Sequence, residues 1–484
     1  MNQKSIKKNM LMSTILTSAN FVFPLITYSY VARVLTPAGT GKVAFVNSIL
    51  SYFSYLAILG IPAYGVREVA KVRDDKDKMS ALVQELLVIN LCSTILSYIL
   101  LIGTVILVPR LYAERMLFIV MGMSIFLNTI GLEWVYQALE EYSYITIRSL
   151  IFKIISVILT FILIKSENDA VYYGFLHIFT SSASYLLNFI HARKYVRFQR
   201  GIKYSFKRHL KPIFTLFAAS IIITIYANFD VSMIGFISTE YEVGLYNSAQ
   251  KIRKIVLSLS VAVTTVLVPR MAYYLKDNNK KDAERLIEKS LRVSLDMAMP
   301  VAVFIFLFPS DCLAFICGAE YLPAVNTLRI LIACIAPLVL TNLFGNQILV
   351  PSGNERRYSQ SVFVGMWINL ILNGILIPRL GAIGAAIGTL VTECWNAFWM
   401  SGGAKDYRKM LLNSINYFVY FLPLGISIVG AVTVGHFINF SPFYRLMIEG
   451  SIFFGVYYLG ILMMKEPIVT IQIRKVIDKL KKRK

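Results

Sequence analysis

The side chains that could do chemistry in this chain are few, and most of them are cations. Arg33, Lys153, Lys251, Arg253 and Lys254 fall inside long apolar segments, and Arg67 lies just beyond one. The acids in comparable positions are Glu393, Asp230 and Glu68. A guanidinium meets phosphate through two parallel hydrogen bonds, and an ammonium adds a compact point charge. A surplus of such groups inside apolar surroundings suits an anionic headgroup better than a cationic cargo. Glu393 stands nearly halfway along its segment, the one carboxylate read near a midplane. There it either holds a coupling ion or proton, or makes a packing hydrogen bond to a neighbouring helix. Asp230 lies near the end of its segment, at a depth similar to Lys251, Arg253 and Lys254, and is expected to pair with one of them. Arg67, Glu68, Glu133 and Lys153 gather toward the opposite side. Arg292 and Asp296 are four residues apart, the spacing at which helical side chains meet, and are expected to satisfy one another. Asn369 and Asn373 have the same spacing and read as interhelical glue.

The elements that hold these groups are dictated by composition. The chain is 57% hydrophobic and only 16% charged, with a mean hydropathy of +0.63, which leaves too little polar surface to clothe a soluble protein of 484 residues. The apolar segments fall at roughly 10–34, 41–63, 80–108, 116–136, 148–165, 171–191, 212–235, 244–270, 287–309, 325–350, 360–378, 384–404, 415–437 and 444–464, mostly long enough to cross a bilayer as helix. The strict alternation of barrel strands is absent, and in hydrocarbon a helix satisfies its own backbone groups. The expected fold is therefore an all-α integral membrane protein of about fourteen transmembrane helices. The first apolar run is too long for the roughly 7–15-residue core of a signal peptide.

Lysine and arginine give the orientation. With both termini placed inside, 35 of the 49 lie in inner segments and only six in outer ones, so both termini are expected on the cytoplasmic face of the cell membrane. The same distribution accounts for the net charge of +22 without a nucleic-acid partner. The stretch from Arg193 to Lys211 holds eight Lys or Arg and no acid, and reads as a cytoplasmic hinge. The basic tail from Arg474 to Lys484 either lies against membrane lipids or is simply solvated.

Other chemistry is missing. The five cysteines have no metal spacing and read as small core residues. There is no phosphate-binding loop, no nucleophile elbow and no large loop that could carry an active site. No cofactor and no enzymatic activity are expected.

An internal repeat crosses the hinge. Thr36 to Gly41 and Thr239 to Gly244 both run from Thr to Gly after an apolar segment, 203 residues apart. Glu141 and Tyr144 are matched 214 residues later by Glu355 and Tyr358, and Gly174 by Gly388 at the same offset. This pattern predicts two six-helix lobes, residues 1–205 and 206–410, followed by two further helices and the tail in 411–484. Pro24, in the middle of the first segment, permits a bend there.

Several runs resemble one known family. They are Tyr30-Val-Ala-Arg-Val-Leu-Thr-Pro-Ala-Gly-Thr-Gly41, Tyr64-Gly-Val-Arg-Glu-Val-Ala70 and Gly131-Leu-Glu-Trp-Val-Tyr-Gln137, with Val243-Gly-Leu-Tyr-Asn-Ser-Ala249 and Ile377-Pro-Arg-Leu-Gly-Ala-Ile-Gly-Ala-Ala386. In order and spacing they resemble polysaccharide repeat-unit flippases of the Wzx type, in the superfamily of the MATE exporters and the lipid II flippase. The resemblance implies a two-lobe fold around a cationic cavity, with Arg33 and Arg67 among the cavity arginines. It implies an undecaprenyl-diphosphate-linked oligosaccharide as cargo, moved between leaflets by alternating access for cell-surface polysaccharide synthesis. A polysaccharide polymerase as partner and H+ or Na+ as coupling ion would follow. The alternatives are a cation-coupled multidrug exporter or lipid II flippase of the same fold, or, from another class, a membrane glycosyltransferase or polymerase.

Overall fold

The structure, a computed structural model, describes residues 6–197, 204–277, 279–437 and 440–470. The middle of the basic hinge and the basic tail lie outside the described residues. Every regular element among the described residues is helical. Among the described residues ten stretches are long and apolar enough to cross a membrane; Glu355–Gly403 covers two of the expected segments, and Ile26–Val72 covers the second and the end of the first. The remaining two expected segments fall on the helix Glu240–Lys276 and on the pair Ala170–Ile178 and Tyr185–Ala192, joined through a π-turn. The chain is an all-α, multi-pass membrane protein.

Its helices turn apolar side chains outward and bury polar ones among an apolar core. On Lys76–Leu107, Ile95, Ile99, Ile102 and Ile106 are exposed at helical spacing, whereas Glu85, Asn90, Thr94 and Ser97 are buried. On Tyr142–Leu163, Ile147, Ile151, Ile154 and Ile158 are exposed while Arg148, Lys153, Ser156 and Thr160 are buried. Lipid is as apolar as leucine, so contact between helices is driven by close packing and hydrogen bonds such as Thr94 to Thr129 (2.6 Å) and Asn90 to the Ala57 carbonyl (2.7 Å).

Two helices that look continuous are bent at single residues. Thr36 adopts φ 61 and ψ 175 inside Ile6–Ile58, and Gly381 adopts φ 54 inside Glu355–Gly403. Each bend separates two expected crossings. Asp75 starts the helix Lys76–Leu107 by accepting a hydrogen bond from the Lys78 backbone N–H at 3.0 Å. That bond, helped by the Lys78 ammonium, holds the Asp75 carboxyl below the usual carboxylate range. The cap is therefore complete above the ordinary carboxylate pKa and is lost as pH falls through the lowered value. Asp75→Ala should lower the melting temperature at neutral pH, and its difference from the parent should shrink in acid, as read by thermal unfolding across a pH series.

The described chain forms two units, 1–244 and 245–484. The expected lobe boundary at 205/206 precedes this division by one long helix, Lys207–Ile237, which packs in the first unit against Ile6–Ile58. Glycines make that packing possible. Gly235 faces the Phe45 ring, where a Cβ would come within 2.0 Å of it. Gly41 lies against the Glu240 carbonyl and Gly244 against the Pro37 carbonyl. The two Thr-to-Gly runs that the repeat pairs in sequence thus touch one another in space. Arg110 closes the same end, pairing with Glu240 at 2.9 Å and donating to the Gly235 carbonyl at 3.0 Å.

Candidate functional site

The charged groups of each unit form separate clusters. In the first unit, Arg33 is exposed, one turn before the bend at Thr36. Arg67 and Glu68 lie on the short helix Ile61–Val72. Glu68 binds Arg67 at 3.0 Å and Lys71 at 2.9 Å, so two cations share one carboxylate. The Arg67 guanidinium also sits 5.4 Å from the centre of the Tyr64 ring.

The helix of Arg67 is held by two of the motif runs. Gly65 lies against Trp134, where a Cβ would come within 2.4 Å of the indole. Trp134 belongs to the short helix Glu133–Ala138, which the left-handed Leu132 (φ 46) introduces. Beside it, Tyr64 Oη and His209 Nδ1 are 2.8 Å apart, and His209 Nε2 is 2.6 Å from Glu85. Arg208 joins the same Glu85 carboxylate at 2.6 Å, and the Ser205 N–H donates to its other oxygen at 2.8 Å. The end of the expected hinge is therefore anchored in the helix bundle by a buried acid.

Glu133 brings the next cluster together. Arg148 is 5% exposed, lies 3.9 Å from Glu133, and donates to the Asn188 side chain. Tyr144 and Tyr185 flank its guanidinium at 5.9 and 5.4 Å. Lys153 is 6% exposed, and its charged neighbours are Glu133 and Arg148. Two buried cations thus share one carboxylate that is itself more open to solvent. Sequence reading singled out Lys153 but not Arg148. The signal for it was present, since Arg148 and Lys153 both fall on a helix whose other faces are isoleucine.

Asp230 is buried in the first unit near Tyr52, whose hydroxyl lies 2.9 Å from Ser232. In the second unit, Lys251 and Arg253 are half-buried and Lys254 is exposed on the helix Glu240–Lys276. The buried Cys334 thiol, which donates to the Ile330 carbonyl, has Arg253 and Glu393, itself 5% exposed, as charged neighbours. The structure brings Arg253 and Glu393 to one buried sulfur, although the sequence offered one for phosphate and the other for a coupling ion. Asn373 donates to Asn369 at 3.1 Å along their own helix, and Gly388 faces the Asn373 carbonyl oxygen closely.

One expected pairing is corrected. Arg292 does not bind Asp296. It binds Glu288 at 2.7 Å and lies 3.7 Å from Glu466, while both Asp296 carboxylate oxygens are buried without a hydrogen-bond partner among the described residues. The reason is tertiary. Glu466 arrives from 174 residues along the chain with Tyr420, which donates to it at 2.9 Å and receives from Arg292 at 3.2 Å. That network draws the guanidinium away from Asp296.

A cavity of about 890 Å³ in the second unit is lined by Asp311, Arg445, Glu449, Thr433 and His436 among others. Arg445 stands 3.6 Å from Asp311 and 3.5 Å from Glu449, so its charge is balanced locally. Among the described residues no group of His, Cys, Asp and Glu side chains could hold a metal ion.

Comparison with known proteins gives concordant matches. The family described as "Polysaccharide biosynthesis protein" matches residues 6–275, and the family described as "MatE" matches residues 216–375. The chain is 25% identical over 399 residues to the "Putative O-antigen transporter" of Escherichia coli (strain K12), covering 81% of this chain and 95% of that protein. It is 26% identical over 171 residues to the "Probable low-salt glycan biosynthesis flippase Agl15" of Haloferax volcanii, covering 35% of this chain and 36% of that one. Among solved structures, a lipid II flippase, MurJ, in an inward closed conformation shares the fold, with a TM-score of 0.69, 17% identity, and coverage of 97% of this chain and 100% of that one.

Proposed function

The chain belongs to the polysaccharide biosynthesis protein family, and on that premise we propose that it is a flippase for lipid-linked oligosaccharides. The cargo is a repeat unit carried on a polyprenyl diphosphate of the undecaprenyl kind, moved between leaflets of the cytoplasmic membrane by alternating access. The relatives named for O-antigen transport and glycan biosynthesis support this class of cargo.

The observation that carries the reading is the pair of buried cations Arg148 and Lys153 with Glu133 as their shared acid. A charge inside the membrane costs about 2.5–3.5 kcal/mol on the mildest insertion scale. Keeping two on one helix is intelligible where an anionic group must pass. Arg33 and Arg67 add exposed guanidinium groups in the same unit, and Lys251, Arg253 and Lys254 serve the second unit. Each set offers the diphosphate positive charge while the polyprenyl tail stays in lipid. A drug exporter for cationic compounds would place acids at these positions.

Finer features belong to the same proposal. Both termini are cytoplasmic, and an ion gradient or the membrane potential drives the cycle through Glu393, Asp230 and Glu68. Delivered repeat units pass to a polymerase.

The test is leaflet-resolved transport in proteoliposomes of a fluorescent oligosaccharide linked to undecaprenyl diphosphate. The parent should move it, and the combined Arg33→Ala, Arg67→Ala and Lys153→Ala variant should not. Unaltered transport by that variant would remove the cationic site from the pathway, and no transport by the parent would remove the cargo.

A further inference from the structure

The group that stands apart in the second unit is Asp296. It is 3% exposed on the helix Lys280–Leu307, one turn before Pro300, and neither carboxylate oxygen has a hydrogen-bond partner among the described residues. The titratable and charged groups around it are Arg292 on its own helix, Glu466 beyond the helix Pro442–Met463, Tyr457 and Tyr458 on that helix, and Tyr420 on Phe418–Phe437. None of them offers Asp296 a proton. Tyr457 donates to the Leu295 carbonyl at 2.9 Å, Tyr458 to the Asp296 backbone carbonyl at 3.2 Å, and Tyr420 to Glu466 at 2.9 Å. Arg292 is engaged by Glu288, Tyr420, the Ser414 carbonyl and Glu466.

An ionised carboxylate with no donor, in an apolar interior and beside a second acid, is not a stable arrangement, and a bound proton removes the difficulty. The helix also supplies a way to release that proton. Arg292 stands one turn from Glu288 on one side and one turn from Asp296 on the other, so a change of rotamer carries its charge from one acid to the other. We propose that Asp296 is a proton-binding site whose occupancy alternates with the position of Arg292. In the described state Asp296 is neutral and Arg292 binds Glu288 and Glu466. In the alternate state the Asp296 O–H bond breaks, the proton leaves to water, and the carboxylate pairs with Arg292. The charge then lies about 6 Å deeper along the helix.

Because Glu466 and Tyr420 hold Arg292 in the first position, proton exchange is tied to the docking of the last two helices on Lys280–Leu307. This gives the C-terminal pair a role as the element that reads the proton. The consequence for transport rests on the flippase reading, whereas proton binding itself does not.

Infrared difference spectroscopy of the purified full chain in lipid nanodiscs tests the site without any cargo. At neutral pH the parent should show a protonated-carboxyl C=O band that is absent in Asp296→Asn, a variant that mimics the neutral acid and should melt at the parent's temperature. Glu466→Gln frees Arg292 and should remove the same band at a lower pH than in the parent. Identical neutral-pH spectra for the parent and Asp296→Asn would overturn the site. A second arm imposes a pH gradient on proteoliposomes carrying the labelled undecaprenyl-diphosphate oligosaccharide. The parent's rate should respond to the gradient, and Asp296→Asn should respond to it less. An equal response in both would overturn the coupling role. A parent with the band but no transport would sink the flippase reading and leave the proton site standing.

Discussion

Gly244→Ala is expected to cost the protein about 3 kcal/mol of stability, the upper end of what overpacking a tight contact usually costs. A methyl at Gly244 would lie 1.9 Å from the Pro37 carbonyl oxygen and 2.6 Å from its carbon. Both are backbone atoms, so no side chain can swing aside, and the two segments must separate. Helix propensity pulls the other way, since alanine is favoured over glycine by roughly 1 kcal/mol. The clash is the larger effect. Gly41→Ala should behave alike, because its Cβ would come within 1.8 Å of the Glu240 carbonyl oxygen. Gly103 and Gly374 provide the control, as an added Cβ would meet nothing within 4 Å at either. Alanine there should be neutral, or stabilising by about 0.5–1 kcal/mol. Thermal unfolding in detergent separates the two classes. A Gly244→Ala protein that melts with the controls would show that the close approach of the two runs is not what holds this end together.

Lys153→Met is expected to reverse the usual relation between stability and function. Methionine matches lysine as far as Cε and carries no charge, so it leaves Arg148 and Glu133 as a one-to-one pair. Replacing a buried charge by an apolar side chain of similar size is often neutral or stabilising. The melting temperature should hold or rise. Transport should fall by roughly 10–100-fold, the equivalent of one charge-assisted contact of about 1.5–3 kcal/mol. Leaflet-resolved transport beside a melt of the same preparation reads both quantities. Loss of stability together with transport would mean that Lys153 supports the fold instead of meeting the cargo. Full transport with unchanged stability would take it off the pathway.

Particular residues show where sequence reading stopped. Glu68 beside Arg67 needed no tertiary information, because neighbours on one helix turn are always within reach. Arg292 needed it entirely. Local spacing offered Glu288 and Asp296 equally, and the choice was made by Glu466 and Tyr420, which come from distant parts of the chain. The motif runs were legible as unusual but not as partners. Gly65 receives Trp134, and Gly41 meets Gly244, across separations that no periodicity encodes. His209 falls within the expected basic hinge, yet it is 2% exposed and bound to Glu85.

The sequence by itself determined that the chain is helical and lies in a membrane. Hydrocarbon requires each crossing to satisfy its own backbone, and that rule acts on every segment separately. The tertiary structure alone decided which buried charges share a carboxylate and, among the described residues, that Asp296 is left without a hydrogen-bond donor. Those outcomes depend on which helices pack together, and on glycines small enough to let two backbones come into contact.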